Sequence, residues 1–196
     1  RVSIMTGHGS GTTSGSLLLR THDAGSAGES GLLVLSTGYS STSGNSGALY
    51  IGSGAATGGR SGSVYVTVGS GVSGSGGEMR LVAGASSVGT GGSLSVITGY
   101  GSTGSSGILL LKTADSGTKG VSGVGILSTG FATEGNSGSL LVGTGAATGG
   151  RSGSVYVTAG GGNSGDGGEI AIFAGSSSGT TAGRVSIMTG YGSGTT

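Results

Sequence analysis

The sequence predicts an all-β fold: a β-solenoid (β-helix) of about 13 rungs, each a coil of 15–16 residues, stacked in parallel with a thin, flat cross-section. Three observations predict it. A short repeat fills the chain, apolar residues alternate with period two inside every copy, and 52 glycines occur with 0 prolines in 196 residues. That glycine content is far above the usual level of about 7%. Proline lacks the backbone N–H that each stacked segment would have to donate, so its absence fits a chain in which every repeat pairs with the next. Collagen's three-residue period is missing, and an apolar fraction of 33% is too high for a flexible linker.

The copies begin at Arg1, Ser16, Leu32, Ala48, Ser63, Glu78, Ser93, Ile108, Val124, Ser139, Ser154, Glu169 and Arg184. Each reads roughly x-φ-x-φ-x-T-G, followed by a Gly/Ser/Thr stretch that ends in glycine. The second and fourth positions are aliphatic, as in Leu17 and Leu19 or Val64 and Val66, and Gly125 is the one gap. Alternation over five residues is the pattern of a strand with one buried face, so these two positions are expected inward. A glycine turn near the seventh position then leads into a second strand of small residues, such as Thr57, Gly59 and Ser61, whose buried hydroxyls must find partners. The closing glycine, present from Gly15 to Gly183 in all 12 complete copies, is expected at a corner with positive φ. One thin coil of this kind is marginal alone and calls for a second surface.

A longer period lies over the short one. GAATGGRSGSVYVT starts at Gly54 and again at Gly145, and RVSIMTGHGSGTT at Arg1 returns as RVSIMTGYGSGTT at Arg184, His8 becoming Tyr191. The chain is therefore expected to form one continuous solenoid over 1–196, with superrepeats 1–92 and 93–183 and with 184–196 starting the next unit. Neither end carries a polar cap, which predicts continuation or end-to-end stacking. A start at Arg1 without a signal segment predicts a mature product or a window of something longer.

If the second and fourth positions face inward, the third and fifth face outward, and each copy carries an apolar residue there. These are Met5, Leu18, Val34, Tyr50, Tyr65, Val82, Ile97, Leu110, Ile126, Leu141, Tyr156, Phe173 and Met188, in a column that steps with the six-copy period. A contiguous apolar stripe marks an interaction surface, and its step limits the alignments a partner can adopt. The expected interface is lateral, between copies of the chain. Charged and amide residues one copy apart, Asn136, Arg151 and Asp166 together with Glu169 beneath Arg184, are expected to form stacking ladders.

Other chemistries find little footing. Charged residues make up 8% and the net charge is +1, which gives no footprint for nucleic acid or an anionic surface. No apolar run approaches the roughly 18 residues of a membrane span. With 0 cysteines there is neither a disulfide framework nor a thiolate metal site. Strings such as GSGTTSG and TGGRSG lack the lysine and following helix of a phosphate-binding loop. GNSGDGGEI resembles a calcium-binding nonapeptide, but only Asp23, Asp115 and Asp166 supply aspartate. His8 with Asp23 could be a catalytic pair, yet Tyr191 replaces the histidine in the returning copy and no serine stands out as a nucleophile. No cofactor, metal or enzymatic activity is expected.

The SGSVYVTVGSG style of repeat, carried across the chain, resembles Gly/Ser/Thr-rich short-repeat surface and fibre proteins of algae such as diatoms and of bacterial adhesin stalks. That resemblance implies an extracellular or cell-surface structural role, with the chain itself as partner and glycans or other matrix components as further partners. A filament, stalk or matrix segment is the leading expectation. The alternative is a surface-binding module whose flat face recognises ice, mineral or polysaccharide; Thr6, Thr21, Thr37, Thr98, Thr113, Thr129 and Thr189 form a column of the kind such a face uses, though of inward parity.

Overall fold

A computed structural model of the chain describes residues 2–11 and 13–192. Among them there is neither a helix nor a β-strand. The chain is irregular coil punctuated by bends, and the expected all-β solenoid of stacked, parallel rungs is not formed. The sequence repeat nevertheless survives as a structural repeat. Bends fall at 26–28, 42–44, 57–59 and 72–74 and continue every fifteen or sixteen residues to 178–180. The segment expected as a second strand is thus a bend, Thr57 and Gly59 included.

The absence of strands has a direct cause in the hydrogen bonds. A strand exists by its ladder, and the backbone bonds of the described residues run inside a repeat, never from one repeat to the next. Two units make up the chain, Arg1–Val96 and Ile97–Thr196. In the first, the closing glycine donates its N–H to the carbonyl of the seventh residue in three repeats: Gly15 to Gly7 at 3.2 Å, Gly77 to Gly69 at 3.2 Å and Gly92 to Gly84 at 2.8 Å. In the second, Gly107 bonds Gly99 at 3.0 Å, and Gly168 and Gly183 bond Gly160 and Gly175 at 2.8 Å. In three further repeats a side chain makes the closure, and in the third, eighth and ninth repeats neither bond is made. The sixth-position hydroxyls of Thr21, Ser53 and Thr144 donate to the carbonyls of Gly31, Gly62 and Gly153 at 3.0, 2.8 and 3.1 Å. These hydroxyls bond across their own loop.

Each repeat therefore has two parts. Positions one to five form an open apolar pentad, and the remainder forms a loop that doubles back on itself. Serine tightens the bend in corresponding places of both superrepeats: Ser86 Oγ accepts from Gly89 N at 2.9 Å, and Ser177 Oγ from Thr180 N at 3.1 Å.

The closing glycine is required for a reason other than the one expected. The only positive φ among the described residues belongs to Gly28, which closes no repeat. What the closing glycines share is proximity. In nine of the 12 complete repeats a Cβ there would come within 2.5–3.3 Å of the sixth side chain or the seventh backbone, as at Gly31, 2.9 Å from Thr21 Cβ, and Gly168, 3.1 Å from Ala159 Cβ; at Gly47, Gly123 and Gly138 the contact would be an ordinary 3.5–3.8 Å. Glycines at the bends, such as Gly58, Gly149 and Gly179, have open space around them. Glycine is demanded where the loop crosses its own start.

No described residue is buried, so the second and fourth positions do not line an interior. The chain exposes 19539 Å². A compact chain of 18.0 kDa would expose about 8,000 Å², and a fully extended one about 26,000 Å². One copy thus leaves most of its apolar surface in water, because no pentad is covered by another.

Loop closure by contact can be checked directly. Gly183→Val should force Ala174 and Gly175 away and abolish the nuclear Overhauser contacts between residues 175 and 183, at a cost of about 0.5–1.5 kcal/mol for the lost hydrogen bond. Gly179→Ala, in open space, should leave those contacts in place.

Candidate functional site

The pentads hold the candidate interface. All of its residues are exposed, from 65% at Val34 to 92% at Tyr50. The second-position aliphatics of the second to thirteenth repeats lie lower, between 47% and 63%. The fourth-position aliphatics, at 57–87%, are as open as the third and fifth, so only the second position is partly shaded, and Leu18, Tyr65, Leu141 and Phe173 stand free. Aliphatic and aromatic side chains bring no hydrogen-bonding chemistry beyond the tyrosine hydroxyls. What this surface can do is cover and be covered.

One local departure shapes it. Gly125 leaves a second position empty, and an apolar cleft of about 400 Å³ opens there, lined by Leu111, Lys112, Thr113, Gly125, Ile126 and Leu127. The gap in the aliphatic column is thus a hollow between the pentads of the eighth and ninth repeats.

The charged residues group differently from the expected ladders. Asn136, Arg151, Asp166, Glu169 and Arg184 are all exposed, and among the described residues no ion pair joins Arg151 to Asp166 or Glu169 to Arg184. The ion pairs present lie inside repeats. Arg20 Nη2 meets Asp23 Oδ1 at 3.5 Å, and Lys112 Nζ meets Asp115 Oδ1 at 3.2 Å. They occupy the fifth and eighth positions of the second and eighth repeats, the corresponding places in the two superrepeats. In these two repeats the seventh residue is His22 or Ala114 instead of glycine, so the pair straddles the turn where the glycine bond is missing. Being exposed to solvent, such pairs contribute little stability. The i, i+3 spacing was readable in the sequence as R-T-H-D and K-T-A-D; attention to columns between repeats concealed it.

Asp23 is held by Arg20, and its carbonyl lies 3.4 Å from His22 Nδ1. Among the described residues no group of three or more His, Asp or Glu is placed to hold a metal ion, and no helix is long and apolar enough to cross a membrane. No family model matches the chain, and no curated protein or solved structure is similar to it.

Filling the hollow tests whether it is a consequence of the missing side chain. Gly125→Leu should produce methyl–methyl Overhauser contacts from residue 125 to Leu111 and Leu127. The rest of the spectrum should stay unchanged, since nothing lies within 4 Å of a Cβ at this position.

Proposed function

We propose that the chain is a structural, non-catalytic segment of an extracellular or cell-surface filament, stalk or matrix, and that its principal partner is another copy of itself. The observation that carries this reading is the uncovered surface: 19539 Å² exposed and no buried apolar side chain among the described residues. A specific interface needs only about 1,200–2,000 Å² in total, a small part of what one copy leaves in water. Thirteen pentads of the same design, each presenting an apolar residue on its free side, supply that area many times over.

Composition supports the same reading. A chain of 8% charged residues and net charge +1 has no electrostatic barrier against its own kind. The repeated design makes one pentad's mate available in every other copy. The resemblance to Gly/Ser/Thr-rich surface and fibre proteins supplies the extracellular setting, and matrix glycans are the second class of partner in such a setting. Recognition of ice or mineral by a flat face of stacked rungs is not carried further, since the described residues form no stack.

Replacing Tyr50, Tyr65, Leu141 and Tyr156 with Lys tests the interface. Native chain should form concentration-dependent oligomers in sedimentation velocity and fibrous or sheet-like material in electron micrographs. The four-lysine variant should associate about a hundredfold more weakly or not at all, because each association would desolvate charge. Native chain that stays monomeric at the highest attainable concentration would sink the proposal.

A further inference from the structure

The eighth position, next to the seventh residue where the loop closes, is left out of the self-association surface and has a pattern of its own. In the first superrepeat it reads His8, Asp23, Tyr39, then the small residues Ala55, Ser70 and Ala85. In the second it reads Tyr100, Asp115, Phe131, then Ala146, Gly161 and Ser176, and Tyr191 opens the sequence again. A ring, an acid, a ring and three small residues thus recur with the six-repeat period. Four of the rings are among the most exposed side chains of the molecule: Tyr39 at 91%, Tyr100 at 88%, Phe131 at 93% and Tyr191 at 96%.

The structure sets these loops apart a second time. The residue that follows the ring, Gly9, Ser40, Gly101 or Ala132, is half-buried in the first, third, seventh and ninth repeats. In every other repeat the ninth position is exposed. In four of the five ring-bearing loops the residue beside the ring is half-buried while the ring stays in solvent; Gly192, beside Tyr191, is exposed. In the ninth repeat the loop also opens into a cleft of about 490 Å³, lined by Thr129, Gly130, Phe131, Ala132, Gly135 and Ser137. It is shallow and open to solvent. Its lining is one aromatic ring, two hydroxyls and backbone, with no charged residue.

We propose that the ring-bearing loops are binding sites for single sugar units of a neutral polysaccharide. An aromatic face carries partial negative charge and attracts the weakly positive C–H bonds on the face of a pyranose ring. Hydroxyls and backbone groups around it exchange hydrogen bonds with the sugar hydroxyls. A near-neutral chain with no basic patch fits an uncharged ligand better than a sulfated or uronic one. Each site is weak alone, and the recurrence of the loops along one chain lets a polymer engage several at once. The inference rests on the structural, matrix-associated reading above and names where the glycan partner would be held.

Affinity electrophoresis in gels containing laminarin, hydroxyethylcellulose or soluble starch tests it. Native chain should be retarded by at least one of these neutral glucans. The combined variant Tyr39→Ala, Tyr100→Ala, Phe131→Ala and Tyr191→Ala should bind about tenfold more weakly or worse, with an unchanged circular dichroism spectrum. A variant carrying Val72→Ala and Val88→Ala, exposed apolar residues at bends outside both surfaces, should bind as the native chain does. Equal retardation of the eighth-position variant, no retardation by any of the three glucans, or retardation only by salt-sensitive dextran sulfate would overturn the inference. Sedimentation velocity on the same samples separates the two proposals: self-association without glucan binding sinks this one alone, and glucan binding by a chain that never self-associates sinks the structural reading alone.

Discussion

The contact on which the rest of the structure depends is the crossing of the closing glycine over the side chain at the sixth position. A Cβ at that glycine would stand 2.5–3.3 Å from the start of its own loop in nine of the twelve complete repeats, and in those glycine is the residue that lets the loop shut. In nine of the twelve complete repeats the loop is also held by one bond, from the closing N–H to the seventh carbonyl or from the sixth hydroxyl to the closing carbonyl. Closure consumes the local hydrogen-bonding opportunity of the polar half of each repeat. The apolar half is left extended between two loops with no intramolecular mate. The division into closed loop and open pentad therefore follows from one steric condition repeated along the chain.

The repeat length, the period-two pentad and the invariance of the closing glycine were all legible in the sequence, because each is a statement about residue types at fixed spacing. The pairing of repeats was not. Alternation at Val64, Tyr65 and Val66 says that a segment would have two unlike sides; it does not say that another segment of the same chain covers either of them. The glycine shows the same limit. Its constancy was visible, but the inference to positive φ chose the commoner of two reasons for glycine, and the second reason, close approach, depends on what lies opposite. Thr21, Ser53 and Thr144 could not be singled out as loop-closing donors in a chain so rich in hydroxyls. Asp23 and Asp115 could have been, since Arg20 and Lys112 lie three residues before them.

The gap at Gly125 illustrates how sequence and structure divide the work. Sequence alone marks it as the missing member of an aliphatic column. Only the structure shows that the vacancy is a hollow bordered by Leu111, Ile126 and Leu127, two of them from the same pentad and one from the pentad before. Neighbouring pentads come close enough here to share a cleft while making no backbone bond. Apolar proximity without a ladder is the condition of the whole chain, and it leaves backbone donors and acceptors along the pentads free as well as the side chains.

That condition places the two halves of a repeat under different constraints. A pentad residue can change among Leu, Ile, Val, Tyr, Phe and Met and still offer apolar area, which is what the third and fifth positions display from Met5 to Met188. Area is forgiving about shape when nothing inside the chain has to fit against it. The eighth position makes neither the bend nor the closing contact, though Asp23 and Asp115 there pair with Arg20 and Lys112, and its residue types return in the same order in both superrepeats. The pentads offer apolar area, and the eighth positions offer exposed rings and paired acids. The glycine crossing keeps the two apart, since it ties off each loop before the next pentad begins.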